Sequence, residues 1–596
     1  VFLLPRLRRR DHVWLAVLAT AFLMLGVGMM LLLNPAPDIQ ALFIARVQLV
    51  PAAAVYAVLI GYGLVVALRF CLQYLERLPR LPGRLLLGVL SALVLAAPAG
   101  LVWNNYHDEE LTLAYGGAEL RGHDFGWQFG NYQLRGAPAI MEELDPDEPP
   151  LPNPVYPPAM ETNAIFFGGT DPGRFVPTYM IYSARVRPDV FLITQNALAD
   201  NTYMNVMRDL YGDQIWMPTP QDVNTAFQTY VQDVQAGRLP RSAAIAIDPG
   251  GKVSVQGVQG VMEINGIISK MMFEMNKQRH AFYVEESYVI AWMYPYLEPH
   301  GLILKINPEP LPALTPEMVR SDMEFWTWYG NRLMNDRKFL RDATARKSFS
   351  KLRCAIAGLY VYRRMFAEAE AAFLQAVELA PLSPEANFRL ADLYVQMGRF
   401  ADALQVMERN AERDPRNDKI VDFINQVREL EGMHRRVEAL QQNMSQGQAT
   451  LEQVFELASL FLRTGREQPF MDLARQMLQD DSLPPSALLR LAEMAASSPS
   501  PPRLELVIQA FEKYLQREPS NARARHELAC AYLARGQLEE VLRELRRAVD
   551  LGGEPMRTAL RQDQRLAPLR TNQAFQRLLE PAARSGFRPP AGLVFP

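Results

Sequence analysis

Three apolar stretches of helical length open the chain, at residues 14–33, 47–67 and 85–103. Each approaches the roughly 20 residues that a helix needs to cross the hydrocarbon core of a bilayer. A cleaved leader accounts for one such stretch but not for three in succession. Beyond residue 104 the pattern changes. Short apolar runs of strand type at 164–167 and 190–194 are each followed by an amphipathic helical pattern, at 174–182 and 201–211. A helical stretch at 258–277 and two more strand-like runs, "AFYVEE" at 281–286 and "GLILKIN" at 301–307, complete the middle section. Strands that alternate with helices predict an α/β layer with a largely parallel sheet. The proline-rich acidic segment at 141–158 reads as an extended surface connection.

The last third repeats itself. Leu359, Tyr360, Phe366, Ala369 and Pro381 recur as Leu393, Tyr394, Phe400, Ala403 and Pro415, each displaced by 34 positions. Two helices per unit, small residues at their crossing and a proline at the end of the unit match the tetratricopeptide repeat. "LASLFLRTGR" at 457–466 and "LACAYLARGQ" at 528–537 restate the first-helix pattern of "LADLYVQMGR" at 390–399, at irregular spacing, so five or six units are expected. The predicted fold is therefore multi-domain. Transmembrane helices occupy 1–104, an extracytoplasmic α/β domain 105–313, a helical connector 314–344, an all-α tetratricopeptide-repeat solenoid 345–555, and a cap and tail 556–596.

Charge adds an orientation. Arg6, Arg8, Arg9 and Arg10 precede the first span, and Arg69, Arg77, Arg80 and Arg84 surround the link between the second and third, while residues 34–40 hold no Lys or Arg. The positive-inside rule then sets the N-terminus in the cytoplasm and everything after about residue 104 outside it. With a formal net charge of −3 and basic residues dispersed among acidic ones, a nucleic-acid partner is not expected. Cys71, Cys354 and Cys530 lie far apart, which gives neither a disulfide framework nor a CxxC site. The seven histidines include no HxH or HxxxH pair, so no metal is expected. The abrupt apolar start at Val1 reads as a fragment of a longer protein.

Four segments carry candidate chemistry. "GGTDPGRF" at 168–175 follows a predicted strand and precedes a predicted helix. Asp171 suits an N-cap and Pro172 the first helical position. Gly168, Gly169 and Gly173 would let backbone N–H groups approach an anion, with Arg174 as a charged donor. The favoured alternative is a structural turn, since Asp171 repels an anion and neither a Walker loop nor a GxGxxG fingerprint is present. In "RGHDFGWQFGNYQLRG" at 121–136, His123 and Asp124 beside Trp127, Phe129 and Tyr132 read either as a sugar-stacking site or as an aromatic anchor near the membrane. Glu285 and Glu286, adjacent on a strand, point to opposite faces. At the strand's end one of them is then a helix cap or a ligand contact, with Glu285 the ligand candidate. His280 and His300 read as packing or surface residues, and the sequon "NMS" at 443–445 carries little weight.

"HDFGWQFGNYQL", "GGTDPGRFVPTYMIY", "RPDVFLITQNAL" and "NKQRHAFYVEESYVIAWMYPYLEPHGLILKIN", in that order and followed by repeats, resemble the DUF2723 family of membrane proteins over roughly residues 10–345. The family has a vertebrate relative that is a protein O-mannosyltransferase. The resemblance implies a GT-C-like glycosyltransferase, of which this chain is the C-terminal portion. It further implies a polyprenyl-phosphate sugar as donor substrate, with no other cofactor, and membrane lipid, the lipid-linked donor and a protein partner or acceptor held by the repeats as binding partners. The acidic residue expected to perform catalysis in such enzymes lies in the first extracytoplasmic loop. Here residues 34–40 offer just Asp38, with no family motif around it, so no catalytic residue is transferred. The competing expectation is a membrane-tethered interaction scaffold without catalytic activity.

Overall fold

The computed structural model describes residues 8–75, 80–117, 120–169, 172–236, 238–239, 244–247, 253–285, 290–497 and 501–580. The chain divides into two compact units, Val1–Val427 and Arg428–Pro596.

Among the described residues of the first unit, three helices are long and apolar enough to cross a membrane: Arg9–Leu33, Val50–Gln73 and Leu85–His107. Their large apolar side chains, among them Leu31, Val65, Leu93 and Val102, face outward. Surface of that kind requires lipid or protein against it. The link between the first two spans is itself structured. It carries a further helix, Ile39–Gln48, started by Asp38, whose side chain accepts the Ala41 N–H at 2.8 Å.

The sheet of the middle section has five strands: β1 Ile165–Gly168, β2 Phe191–Thr194, β5 Phe282–Glu285, β6 Leu297–His300 and β7 Ile303–Ile306, in the spatial order β2-β1-β5-β7-β6. A separate antiparallel pair comprises β3 Ala244–Ile247 and β4 Val253–Gln256. Parallel pairing holds for β1 with β2 and for β1 with β5. β7 runs antiparallel to both β5 and β6. The expectation of a largely parallel sheet is corrected to a mixed one. β6 and β7 form a hairpin closed at Gly301 (φ +65°), and so tight a return gives an antiparallel partner without a crossover.

The parallel strands are buried on both faces. Ile165, Phe167, Ile193, Phe282 and Val284 enter one core with Ile268, Met272 and Phe273 of the Gly257–Asn276 helix. Phe166, Leu192 and Tyr283 enter another with Leu134, Met180 and Ile181. Alternation along each strand sorts the side chains in this way, and burial on both sides explains why the runs read as continuously apolar. The acidic proline-rich segment is held against the Pro316–Asn335 helix, by Glu148 with Arg332 at 3.0 Å and by the Trp328 indole N–H donating to the Pro149 carbonyl at 3.0 Å.

Helix pairs follow: Ala343–Tyr362 with Phe366–Leu379, and Pro384–Gln396 with Phe400–Arg413. Ala369 and Ala403 are fully buried at equivalent positions. Arg364 (φ +59°) and Gly398 (φ +74°), also 34 apart, make the left-handed turn between the paired helices. In the second unit the pairs are Leu451–Arg463 with Glu467–Gln479, Pro485–Ala496 with Pro501–Arg517, and Ala522–Arg535 with Leu538–Gln562. A single 28-residue helix, Asp418–Ser445, stands where the period calls for a pair. It accounts for the irregular spacing of the later copies.

His300 is a core residue, its ring 4.9 Å from that of Tyr283. Burial, helped by the Lys305 charge, pushes its pKa down from 6.5 to about 3. The unfolded chain therefore binds one more proton than the folded chain between those values, and stability is full above pH 6.5 and is lost as pH falls below it. Chemical denaturation at pH 7, 6 and 5 should show a loss approaching about 1.4 kcal/mol per pH unit that is absent in His300→Phe. Equal slopes in the two proteins would show that His300 titrates alike in the folded and unfolded chain.

Candidate functional site

The register aligns Gly168 with Thr194 on one side and with Glu285 on the other, so the carboxyl ends of β2, β1 and β5 lie in a row. The chain leaves β1 for β2 on one side and returns to β5 on the other. Ligands of α/β folds bind at such a reversal of strand order. Thr194, Gln195 and Glu285 are buried there.

The glycine loop closes on Glu285. The Gly169 N–H donates to Glu285 Oε2 at 3.1 Å. A Cβ on Gly173 would fall 1.5 Å from the same oxygen, and one on Gly168 would fall 2.6 Å from the Gly173 carbonyl oxygen. Bare backbone is required at both places. The anion held by the loop's N–H is thus the chain's own carboxylate. Glu285 does not cap the helical turn that follows, Ala291–Tyr296, where Ile290 occupies the N-cap position. Asp171 and Glu286 lie outside the described residues. The helix after the loop begins at Phe175 with Arg174 at its N-cap position, so Pro172 belongs to the turn and not to the first helical position. Arg174 is exposed, its guanidinium 5.4 Å from the centre of the Phe175 ring.

The segment nearest the spans separates into different roles. His123 pairs with Asp342 at 3.0 Å, and Asp342 also caps the Ala343–Tyr362 helix by accepting the Ala345 N–H at 2.9 Å. Asp124 accepts from Gln128 Nε2 at 3.1 Å, so the adjacent His and Asp do not act together. The aromatic cluster is corrected in the same way. Phe129 and Tyr132 are in the core, while the half-exposed Trp127 donates its indole N–H to Glu143 at 2.7 Å. Of these three rings, Trp127 alone is exposed.

A cavity of about 560 Å³ lies between these elements, lined among others by Arg46, Gly117, Phe125, Pro172, Arg341 and Ser348. Pro172 brings the glycine loop to its wall. Arg341 donates to the Tyr106 carbonyl at the end of the third span and stacks 4.6 Å over that ring. The Ile39–Gln48 helix is tied to the first repeats. The Ile39 N–H donates to Asp414 at 3.2 Å, and Lys347 Nζ donates to Gln40 at 3.0 Å and lies 3.7 Å from the Phe43 ring centre. Burial, with Arg46 nearby, holds the Lys347 pKa down to about 8. A second cavity of about 680 Å³ opens at the carboxyl end of β2, with Asn196, Asp200, Asn224 and Phe227 in its wall.

The structure thus joins Gly168, Gly169, Gly173 and Glu285 in one cluster and keeps His123, Asp124 and Trp127 apart from it. Arg46, Arg341, Lys347, Asp342 and Thr194 were not expected. Of these only Thr194 had a signal, the polar step at the end of "FLITQN" that parallels the glycine step after β1.

Residues 362–423 match the tetratricopeptide repeat family. No curated protein matches the chain. Among solved structures, the chain is similar to YrrB, described as a TPR protein with an unusual peptide-binding site, at 13% identity over 39% of this chain and 98% of that one, with a TM-score of 0.17. It is similar to the P58(IPK) TPR domain at 14% identity over 63% and 95%, with a TM-score of 0.16. Similarity to MamA is 16% over 34% and 96%, with a TM-score of 0.16. The chain therefore contains tetratricopeptide repeats, a module typical of protein interaction, and, among the described residues, three helices long and apolar enough to cross a membrane.

Proposed function

We propose that this chain is a membrane-anchored module that holds a polypeptide through its repeats on the extracytoplasmic side of the bilayer. The observation that carries the reading is the bonding of the Ile39–Gln48 helix, which links two spans, to Lys347 and Asp414 in and beside the first repeats. That bonding keeps the start of the repeat array at the membrane face, and helical repeats of this kind form extended concave binding surfaces. The outward orientation is supported by the arginines flanking the spans.

The cavity supports a finer reading, in which the module belongs to a transferase that takes a sugar from a polyprenyl phosphate and passes it to the bound polypeptide. Two guanidiniums, of Arg46 and Arg341, face a space at the membrane side and would hold a phosphate by charge-assisted hydrogen bonds. The carboxylate of Glu285 stands one loop away.

The polypeptide reading is tested in intact cells with a photo-crosslinking amino acid at Asp392 or Glu412, exposed positions on the two helices of one repeat. Adducts with an exported polypeptide are expected from at least one position. Adducts with lipid alone, or with cytoplasmic proteins, would defeat the proposal.

A further inference from the structure

We propose that His526, Cys530 and Asp563 form a zinc site in the second unit. His526 and Cys530 are four residues apart on the Ala522–Arg535 helix, which presents both on one face. Asp563 stands at the end of the Leu538–Gln562 helix, after the chain has kinked at Gly553. His526 Nε2 lies 3.0 Å from Asp563 Oδ2, Cys530 Sγ lies 3.8 Å from the same oxygen, and all three donor atoms fall within 4.8 Å of one another. Zinc bonds of about 2.0–2.3 Å to such donors give tetrahedral edges of roughly 3.3–3.8 Å, so small side-chain adjustments enclose the ion.

A second observation points to a ligand. His526 is 7% exposed, and its buried Nε2 is aimed at the Asp563 carboxylate oxygen 3.0 Å away, so the imidazole and the carboxylate already converge on one enclosed point. An imidazole nitrogen, a thiolate and a carboxylate are the donors that favour zinc over magnesium or calcium, and three of them leave a fourth position for water. The surroundings suit the ion. Arg565 bonds Asp563 at 2.8 Å and grips both oxygens of Glu527 at 2.8 and 3.0 Å, which orients the ligating carboxylate as outer-shell partners do. The charges also close: Zn²⁺ is balanced by the Cys530 thiolate and Asp563, and Arg565 by Glu527. On binding, the Cys530 S–H bond breaks, a Zn–S bond forms and the proton leaves to solvent. The ion would join the first helix of the last repeat to the start of the cap, Gln564–Leu569. Histidine pairs and CxxC spacings miss this site because its helix pairs a His with a Cys, and its third ligand lies 33 residues beyond Cys530.

The test uses the full chain, purified in detergent without a histidine tag, stripped of metal and titrated with Co²⁺ and then Zn²⁺. One equivalent of Co²⁺ should bind with a thiolate-to-cobalt charge-transfer absorption, and Zn²⁺ should displace it. Cys530→Ser should abolish the absorption, while Cys71→Ser and Cys354→Ser keep it. Asp563→Asn, which retains shape, should weaken zinc binding at least about tenfold, and it serves if Cys530→Ser does not fold. Absence of the band in the wild type, its survival in Cys530→Ser, or unchanged zinc affinity in Asp563→Asn would overturn the assignment.

Discussion

Asp322→Ala is expected to destabilise the Val1–Val427 unit by about 3–5 kcal/mol, among the largest effects of any single substitution in this chain. Asp322 and Arg353 are both fully buried and meet at 2.7 Å. The same Asp322 oxygen accepts the Tyr360 hydroxyl at 2.6 Å. Arg353 extends the network to Gln375 at 2.8 Å and lies 5.2 Å over the Trp326 ring. Three helices are thereby joined: Pro316–Asn335, Ala343–Tyr362 and Phe366–Leu379. Removing Asp322 leaves a guanidinium in the core with its countercharge gone, which is far worse than losing one hydrogen bond. The paired replacement Asp322→Leu with Arg353→Met removes both charges and should recover most of the loss. Denaturation of the full chain in detergent, followed by tryptophan fluorescence, measures both. Additive losses in the double variant would mean that the two side chains do not act as a pair.

Gly173→Ala is expected to cost about 2–5 kcal/mol, because the new methyl occupies the place of Glu285 Oε2 and forces the carboxylate off the Gly169 N–H. Exposed glycines accept alanine far more easily, so the size of the loss identifies the contact. Glu285→Ala removes the obstacle, and the double variant should be more stable than the sum of the two singles by about 1 kcal/mol or more. Strict additivity would separate the loop from the glutamate. The same variants bear on sugar transfer. With polyprenyl-phosphate donor and protein held folded at low temperature, Gly173→Ala should lower the transfer rate of the full-length protein at least about tenfold if the loop shapes the cavity wall at Pro172. Transfer at the wild-type rate would return the loop to the status of a turn and remove the transferase reading's site.

The aromatic segment shows where local reading stopped short. Phe125, Phe129 and Tyr132 are spaced by four and three residues, a helical stripe, and the Phe125–Arg135 helix buries all three. Trp127 falls off that stripe and is half exposed. The spacing alone would have divided the cluster into core and surface. By contrast, nothing local to His123 indicates Asp342, which lies 219 residues further on.

The sequence by itself determined the elements whose signal repeats over a few residues. These are the apolar spans, the short apolar strand runs set between helical stretches, and the 34-residue helix pairs, with Ala369 and Ala403 at their crossings. Backbone geometry imposes those periods on any chain, so they are written locally. Only the tertiary structure decided that β7 would pair antiparallel with β5, that the glycine loop would enclose Glu285 from 116 residues away, and that the linker between two spans would bind the repeats. Those meetings depend on how long loops close and which faces find burial, and a window of neighbouring residues holds no record of either.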